Sequence, residues 1–386
     1  MTYDIVVIGG GPAGNKAASL LAGEYDVLVV EEHSSPGAPV QCAGLISDEV
    51  LKLSGVRPTI LGELYGANIV FPNGRTISIR SKDRKAVLID REELDTLMAR
   101  KAEDAGAVHS YSTRYLSHKI SGDSVRIETN KGEIETSVII GADGHRSAVA
   151  ATIGNNQPVE FVRGVQVDIA RRHEDNEMIT IRTGSAAPGF FSWEIPFSDM
   201  TRVGLCTSWE HGPPHEYLKT LLRRIGADDA DVVKKYSGII PLGGRRRTCA
   251  ERLLLIGDAA GQVKPVSGGG LQPAFTSSYA LAETVREAFD ENDMSEKALS
   301  VYEKRWKRAV GKELKRGYRL RRMYTSMSDG ELNRAAETID RENIKDTLND
   351  GNIDHPSDLL FPLMRDPVTA LRLAPLMLRA GIRGIR

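Results

Sequence analysis

The chain opens on an unbroken apolar run, Ile5-Val-Val-Ile8, followed by three glycines and a stretch in which alanine and leucine recur. A short apolar run bounded by turn residues predicts a buried strand, and the segment behind it predicts a helix. A second apolar run, Val27-Leu-Val-Val30, ends on Glu31. Segments 67–71 and 75–79 alternate apolar with polar around Pro72-Asn73-Gly74, which predicts a β-hairpin whose Asn-Gly pair supplies positive φ. Because it interrupts the opening pattern, this hairpin belongs to another sheet. Asp90 and Glu93 form a capping box for a helix with Leu94, Leu97, Met98 and Ala102 on its apolar face. Short strands follow between 108 and 140, the last running into Gly141-Ala-Asp-Gly144. Residues 159–210 are strand-rich, 217–225 read as a helix, and Leu253-Leu-Leu-Ile256 is another buried strand leading into Gly257-Asp-Ala-Ala-Gly261. Ser267-Gly-Gly-Gly-Leu271 then enters a helix, and the remainder is helical by pattern.

Three strands therefore end in glycine turns, at 9, 141 and 257, which predicts one sheet assembled from three separated pieces. The first turn has the spacing Gly9-x-Gly11-x-x-Gly14. There Gly9 permits a sharp turn, Gly11 lets backbone approach a pyrophosphate, and Gly14 lets helix and strand pack closely. Pro12 and Ala13 begin the helix, whose free N–H groups and dipole favour an anion. Glu31 ends the next strand where a carboxylate can accept ribose hydroxyls. This combination predicts dinucleotide binding. Asp143 and Gly144 read as a turn against the same nucleotide, and Gly270-Leu271 as a second helix entrance facing an anion or a ring. Arg91, a cation opposing a helix dipole, suggests an anionic or polar ligand nearby. Cys42 lies in a Pro- and Gly-rich loop before Ala43 and Gly44; these small residues suit a plain turn or a close approach to a flat ring.

The composition, 41% hydrophobic and 27% charged, is that of a globular protein with core enough for two or three units. A net charge of −1 gives no reason to expect nucleic acid. Three widely spaced cysteines argue against a disulfide framework or a zinc site. The opening has no signal-peptide pattern and no apolar run reaches bilayer length, so the expected location is cytoplasmic. Residues 304–322 carry ten Lys or Arg against one acid, and 356–386 combine many leucines with arginines. Such a basic amphipathic tail can lie on the inner face of a membrane, or pack on the body with its arginines in water.

Taken together, Gln41-Cys-Ala-Gly44, Gly257-Asp-Ala-Ala-Gly-Gln-Val-Lys-Pro265 with Ser267-Gly-Gly-Gly270, and the aromatic segment around Trp193 make the chain resemble the geranylgeranyl reductase family. This is especially so of the archaeal digeranylgeranylglycerophospholipid reductases, within the p-hydroxybenzoate hydroxylase-like FAD superfamily. That family's Tyr-x-Trp-x-Phe-Pro stands here as Phe191-Ser-Trp193-Glu-Ile195-Pro196, which also brings it near the Trp-x-Trp-x-Ile-Pro motif of flavin-dependent halogenases. The resemblance implies an α/β fold with a Rossmann-like FAD-binding domain from residues 1–63, 81–157 and 245–300. It further implies an inserted antiparallel sheet domain for substrate, 64–80 and 158–244, and a helical C-terminal region, 301–386.

Position by position, it implies that Gly9, Gly11, Pro12, Ala13, Gly14 and Glu31 hold the ADP half of FAD, with backbone near Tyr115 at the adenine. Arg91 and Asp258 would serve the pyrophosphate and ribityl region. Cys42, Ala43, Gly44, Gly270 and Leu271 would line the isoalloxazine, with Cys42 a candidate catalytic thiol; Cys206 and Cys249 are structural. Phe191, Trp193, Ile195 and Pro196 would wall the substrate pocket. The implied reaction is reduction of prenyl C=C bonds. An isolated alkene has no carbonyl to take negative charge, so protonation at the less substituted carbon accompanies hydride delivery to the tertiary cation. Cys42, a bound water and the flavin are the candidate proton donors. Electrons come from NADPH or from reduced ferredoxin docking on 304–322. The alternatives are an FAD-dependent aromatic hydroxylase or halogenase, and a flavin-containing lipid carrier.

Overall fold

In a computed structural model of the chain, residues 2–154 and 156–340 are described, together with Asn349, Gly351, Asn352, Asp354 and Leu373. The opening apolar run forms strand Thr2–Ile8 at the centre of an eight-stranded sheet. It pairs in parallel with Val27–Val30 on one side and with Gly132–Gly141 on the other, and Leu253–Leu255 extends the parallel set. The expectation of one sheet from three separated pieces holds. Strands buried on both faces carry apolar side chains at every position. Ile5 and Val7 point to the face covered by helices Pro12–Leu21, Leu271–Asp290 and Glu296–Trp306. Val6 and Ile8 point to the other, where Tyr115, Val125 and Val149 close the core.

Hairpin Gly66–Val70/Thr76–Arg80 forms where the alternation predicts it, but only Gly74 takes positive φ, at 86°. It joins a second, seven-stranded sheet with Glu160–Ile169, Met178–Arg182, Ser192–Phe197, Met200–Ser208 and Val232–Leu242. This sheet is antiparallel except where Met178–Arg182 runs parallel to Gly66–Val70. One of its faces is apolar, with Val167, Ile169, Val203 and Leu205 packed under helix Pro214–Arg224. A third small sheet of Leu45–Ile46, Ala86–Ile89 and Ile60–Leu64 lies between the two and was not foreseen.

Helix Arg91–Asp104 begins at Asp90, whose carboxylate accepts from the Glu92 and Glu93 N–H groups. The capping box is not closed, because the Glu93 carboxylate accepts from Thr59 N–H at 2.6 Å instead of reaching back. After Glu296–Trp306 the chain makes a π-helical turn, Lys307–Gly311, then helices Lys312–Thr325 and Asp329–Ile339. The basic, leucine-rich tail 356–386 lies, apart from Leu373, outside the described residues. Among the described residues no helix is long and apolar enough to cross a membrane.

Candidate active site

Three glycine turns meet at one edge of the parallel sheet, stitched together by backbone. Gly9 N–H donates to the Val30 carbonyl, Ala142 N–H to that of Ile8, and Ile256 N–H to that of Gly141. Each parallel strand is thus tied to its neighbour at the point where its turn begins. Gly9 has φ +106°, and a Cβ there would collide with the Ala142 carbonyl; one on Gly14 would collide with the Gly9 carbonyl. Gly257, at φ +64°, puts its own missing Cβ 2.7 Å from that of Ala13. Gly11 differs, since nothing lies within 4 Å of where its Cβ would be.

Helix Pro12–Leu21 has Gly11 at its N-cap and no side-chain cap, and helix Leu271–Asp290 has Gly270 there with none either. Both helices present unsatisfied N–H groups, which need an acceptor from outside the helix. Asp258 faces the second entrance. A Cβ on Gly270 would sit 3.0 Å from its Oδ1. Burial raises the Asp258 pKa to about 6 while Arg91 pulls it back, even though part of the residue borders open space at the turn. An open glycine cradle, two uncapped helix entrances and a desolvated carboxyl suit a group that brings phosphate oxygens and hydroxyl donors. FAD fits them: Gly11, Pro12, Ala13 and the first helix entrance would hold its pyrophosphate, and Asp258 its hydroxyls.

Glu31 accepts from Gly10 N–H at 2.7 Å and from the His33 N–H and ring at 2.9 and 2.6 Å. Asn15, fully buried, donates to the Gly10 carbonyl and is held in turn by His109 at 2.7 Å. Sequence reading missed Asn15, His33 and His109; a buried amide one residue after a glycine motif was the available signal. Backbone beside Glu31 comes from Ser110 and Thr113. Tyr115 lies two residues on, its ring in the core and its hydroxyl 2.6 Å from His118. Asp143 caps a short helix through Ser147 Oγ and Val149 N–H, while Ala142 contacts Gly9 and Gly14.

Arg91 is buried, its Nη2 donating to both carboxylate oxygens of Asp95 at 2.8 and 3.1 Å, and its Nε has no partner among the described residues. Burial works against its charge, and Asp95 and Cys42 more than compensate, so it stays protonated. Its charge lies beside the Cys42 sulfur, which accepts from Gly44 N–H at 3.4 Å. Gly44, at φ +78°, has room only for hydrogen between the Ile89 carbonyl and the Arg91 and Arg202 side chains.

The loop carrying Cys42, Ala43 and Gly44 rests on the polar face of the seven-stranded sheet. Gln166 Nε2 donates to the Cys42 carbonyl at 3.0 Å, and Arg202 Nη1 to that of Ala43 at 2.5 Å. Arg202 is gripped by Asp168 at 2.7 and 2.8 Å, and Tyr236 donates to the same carboxylate at 2.7 Å. Trp193 Nε1 donates to Gln166 Oε1 at 3.2 Å. Trp193 continues into Phe191, edge-on at 6.0 Å, and Phe191 stacks on Phe190 at 4.4 Å. Phe190 and Ile240 approach Gly268 of the second entrance turn. Ile195 shares the face of Trp193 and clusters with Leu64 and Leu88, against which Trp193 also packs. Pro196, two positions from Glu194 on the alternating strand, points to the opposite face and does not join Trp193. Cys206 and Cys249 are buried, and burial raises their thiols to about 12 and about 11.

A family model for the FAD-binding domain matches residues 2–316, so this is a flavoprotein of that family. Digeranylgeranylglycerophospholipid reductases align over most of its length. One from Methanothrix thermoacetophila is 31% identical over 89% of this chain and 93% of its own, and reductase 2 of Methanopyrus kandleri 30% over 89% and 92%. The chain belongs to their family. A geranylgeranyl bacteriochlorophyll reductase-like protein from Thermoplasma acidophilum superposes with TM-score 0.85 at 23% identity, covering 97% of this chain and 99% of that one. The halogenase PltM superposes at 0.70 and 16% identity over 97% of this chain and 86% of its own. At those identities the two structures report the shared fold.

Proposed function

We propose that the protein uses FAD to reduce C=C bonds in the geranylgeranyl chains of membrane phospholipid precursors. The observation that carries this is the aromatic run Phe190, Phe191 and Trp193, which meets the second glycine turn at Gly268. It provides an apolar wall for an alkene beside the place where FAD would lie. When bound and reduced, FAD supplies the hydride. The chain supplies the rest. The wall excludes water and orients the alkene, and the indole face of Trp193 meets developing positive charge. Proton transfer is assigned to Cys42 Sγ, which sits between Arg91 and the Gly44 N–H.

The first test is anaerobic. Protein reduced with dithionite is given a geranylgeranyl lipid, and flavin absorbance near 450 nm is followed with product mass. Reoxidation with a gain of about 2 Da per double bond is the expected result. A flavin that stays reduced until oxygen is admitted would transfer the assignment to an aromatic hydroxylase or halogenase, which needs oxygen.

The cationic stretch 304–322 supports a docked electron donor more than NADPH. Lys304, Arg308, Lys312, Lys315, Arg319 and Arg322 are exposed, at three- and four-residue spacing along one side of the helical rod. Arg321 on the buried side pairs with Glu160 and lies over Phe190, and Gly317 abuts Pro265. The stripe is therefore about one helix diameter, roughly 10 Å, from the second glycine turn. An acidic carrier such as ferredoxin fits it. Neutralising Lys312, Lys315 and Arg319 should slow reduction by ferredoxin at low salt, and unchanged rates would remove the stripe from the pathway. A lipid substrate also calls for peripheral membrane contact, which we assign to the basic C-terminal region.

A further inference from the structure

The sheet holds two consecutive carbonyls of the loop, through Gln166 at Cys42 and Arg202 at Ala43. In a trans peptide the N–H points opposite to the carbonyl of the same unit. Fixing the Cys42 carbonyl against Gln166 therefore turns the Ala43 N–H away from the sheet, and fixing the Ala43 carbonyl turns the Gly44 N–H likewise. The Gly44 N–H finds the Cys42 sulfur. Among the described residues the Ala43 N–H finds no hydrogen-bond acceptor. Gln166 is itself oriented, since Trp193 occupies its oxygen and so leaves its NH2 for the loop. That bond exists only because Gly204, between them in register, has no side chain; a Cβ there would lie 2.5 Å from the Gln166 Cβ and 2.6 Å from the indole.

We propose that Gln166 is a positioning residue that links the substrate wall to the cofactor loop, holding the Ala43 N–H as a hydrogen-bond donor for the bound flavin. It touches neither the reacting alkene nor its own target, and acts through the Cys42 peptide. A donor so placed stabilises the electron-rich, reduced cofactor more than the oxidised one. The inference rests on the FAD-binding fold and not on the identity of the lipid.

The test is made on FAD-loaded full-length protein without substrate. Gln166→Leu removes both bonds, and Gln166→Glu keeps an acceptor for Trp193 but has no donor for the Cys42 carbonyl. With one FAD per chain retained, each variant should shift the two-electron equilibrium of the flavin about tenfold toward the oxidised form, or about 30 mV downward. Trp193→Phe, which leaves the amide in place but unoriented, should move it the same way by less. Unchanged potentials and flavin spectra in the Gln166 variants would overturn the proposal and leave Gln166 as packing. If Gln166→Leu does not fold, the Glu and Trp193→Phe proteins decide in the same way. Because no alkene is present, a wild-type protein that fails to reduce prenyl lipid would defeat the proposed function without touching this result.

Discussion

The two sides of the site are built from different materials. The nucleotide side is backbone: glycines at 9, 14 and 257, where a side chain has no room, and one at 11, where the room is left open. The wall side is side chains, with Gln166, Asp168, Trp193, Arg202 and Tyr236 drawn from four strands and bonded across their registers. Backbone sites tolerate almost no added atom, because the obstructing groups are carbonyls that cannot turn aside at 9 and 14, and the Ala13 Cβ, fixed to its helix, at 257. Side-chain sites can lose a bond and keep their shape, so substitutions there should separate chemistry from folding.

That contrast sets the size of the expected effects. Gly14→Val should be the most severe, leaving the chain without FAD and poorly folded; FAD content and circular dichroism measure it, and a variant that still bound flavin normally would remove the close helix–strand packing as a requirement. Cys42→Ala should lower single-turnover alkene reduction about 100-fold while FAD content stays at the wild-type level. An unchanged rate would pass the proton to water or to the flavin.

Asp258 gives a smaller, pH-dependent effect. Its folded pKa, about 6, lies above the ordinary 3.8, so its contribution to apoprotein stability is fully present below about pH 4 and is lost as pH rises through 6. A shift of this size corresponds to about 3 kcal/mol, reduced to about 1–2 because the carboxyl borders open space. Asp258→Asn should flatten the fall in apoprotein stability between pH 4 and 6, and an equal slope in both proteins would contradict it. Gly11→Ala should be the mildest. The apoprotein should melt as wild type while FAD affinity drops about tenfold, or about 1.4 kcal/mol, and a lowered apoprotein Tm would show that the open cradle is not where the cofactor approaches.

The same contrast explains what could be read from the chain. Gly9, Gly11, Gly14 and the turns at 141 and 257 announce themselves by short-range spacing: positive φ requires glycine at 9 and 257, and close approach of neighbouring atoms requires it at 14 and 141. The meeting of Gln166 with Trp193 and Cys42 depends on registers between strands far apart in sequence, and no local pattern sets those. A trace existed: in Gly164-Val-Gln-Val-Asp-Ile169 the polar alternate positions face the cofactor loop rather than water. Arg91 was read as a cation beside a ligand; its pairing with Asp95 and its place beside Cys42 follow from helix phase and a distant loop, which no local pattern announces. The capping box at Asp90 failed because a nearby unsatisfied amide, Thr59 N–H, competed for Glu93.

The stitched turns also constrain the order of events during synthesis. The Gly9 turn exists within the first thirty residues, yet its neighbour at 257 is pinned by Gln262, and Gln262 by Tyr302, whose hydroxyl also donates to the Leu255 carbonyl. At ribosomal rates of roughly 5–20 residues per second, those partners emerge tens of seconds after the first helix. Until Leu253–Leu255 emerges, strand Gly132–Gly141 has a bare parallel edge, and the cofactor has only part of its binding site. FAD is therefore an addition that waits for residue 302, and nascent protein stalled before it should neither capture flavin nor resist proteolysis.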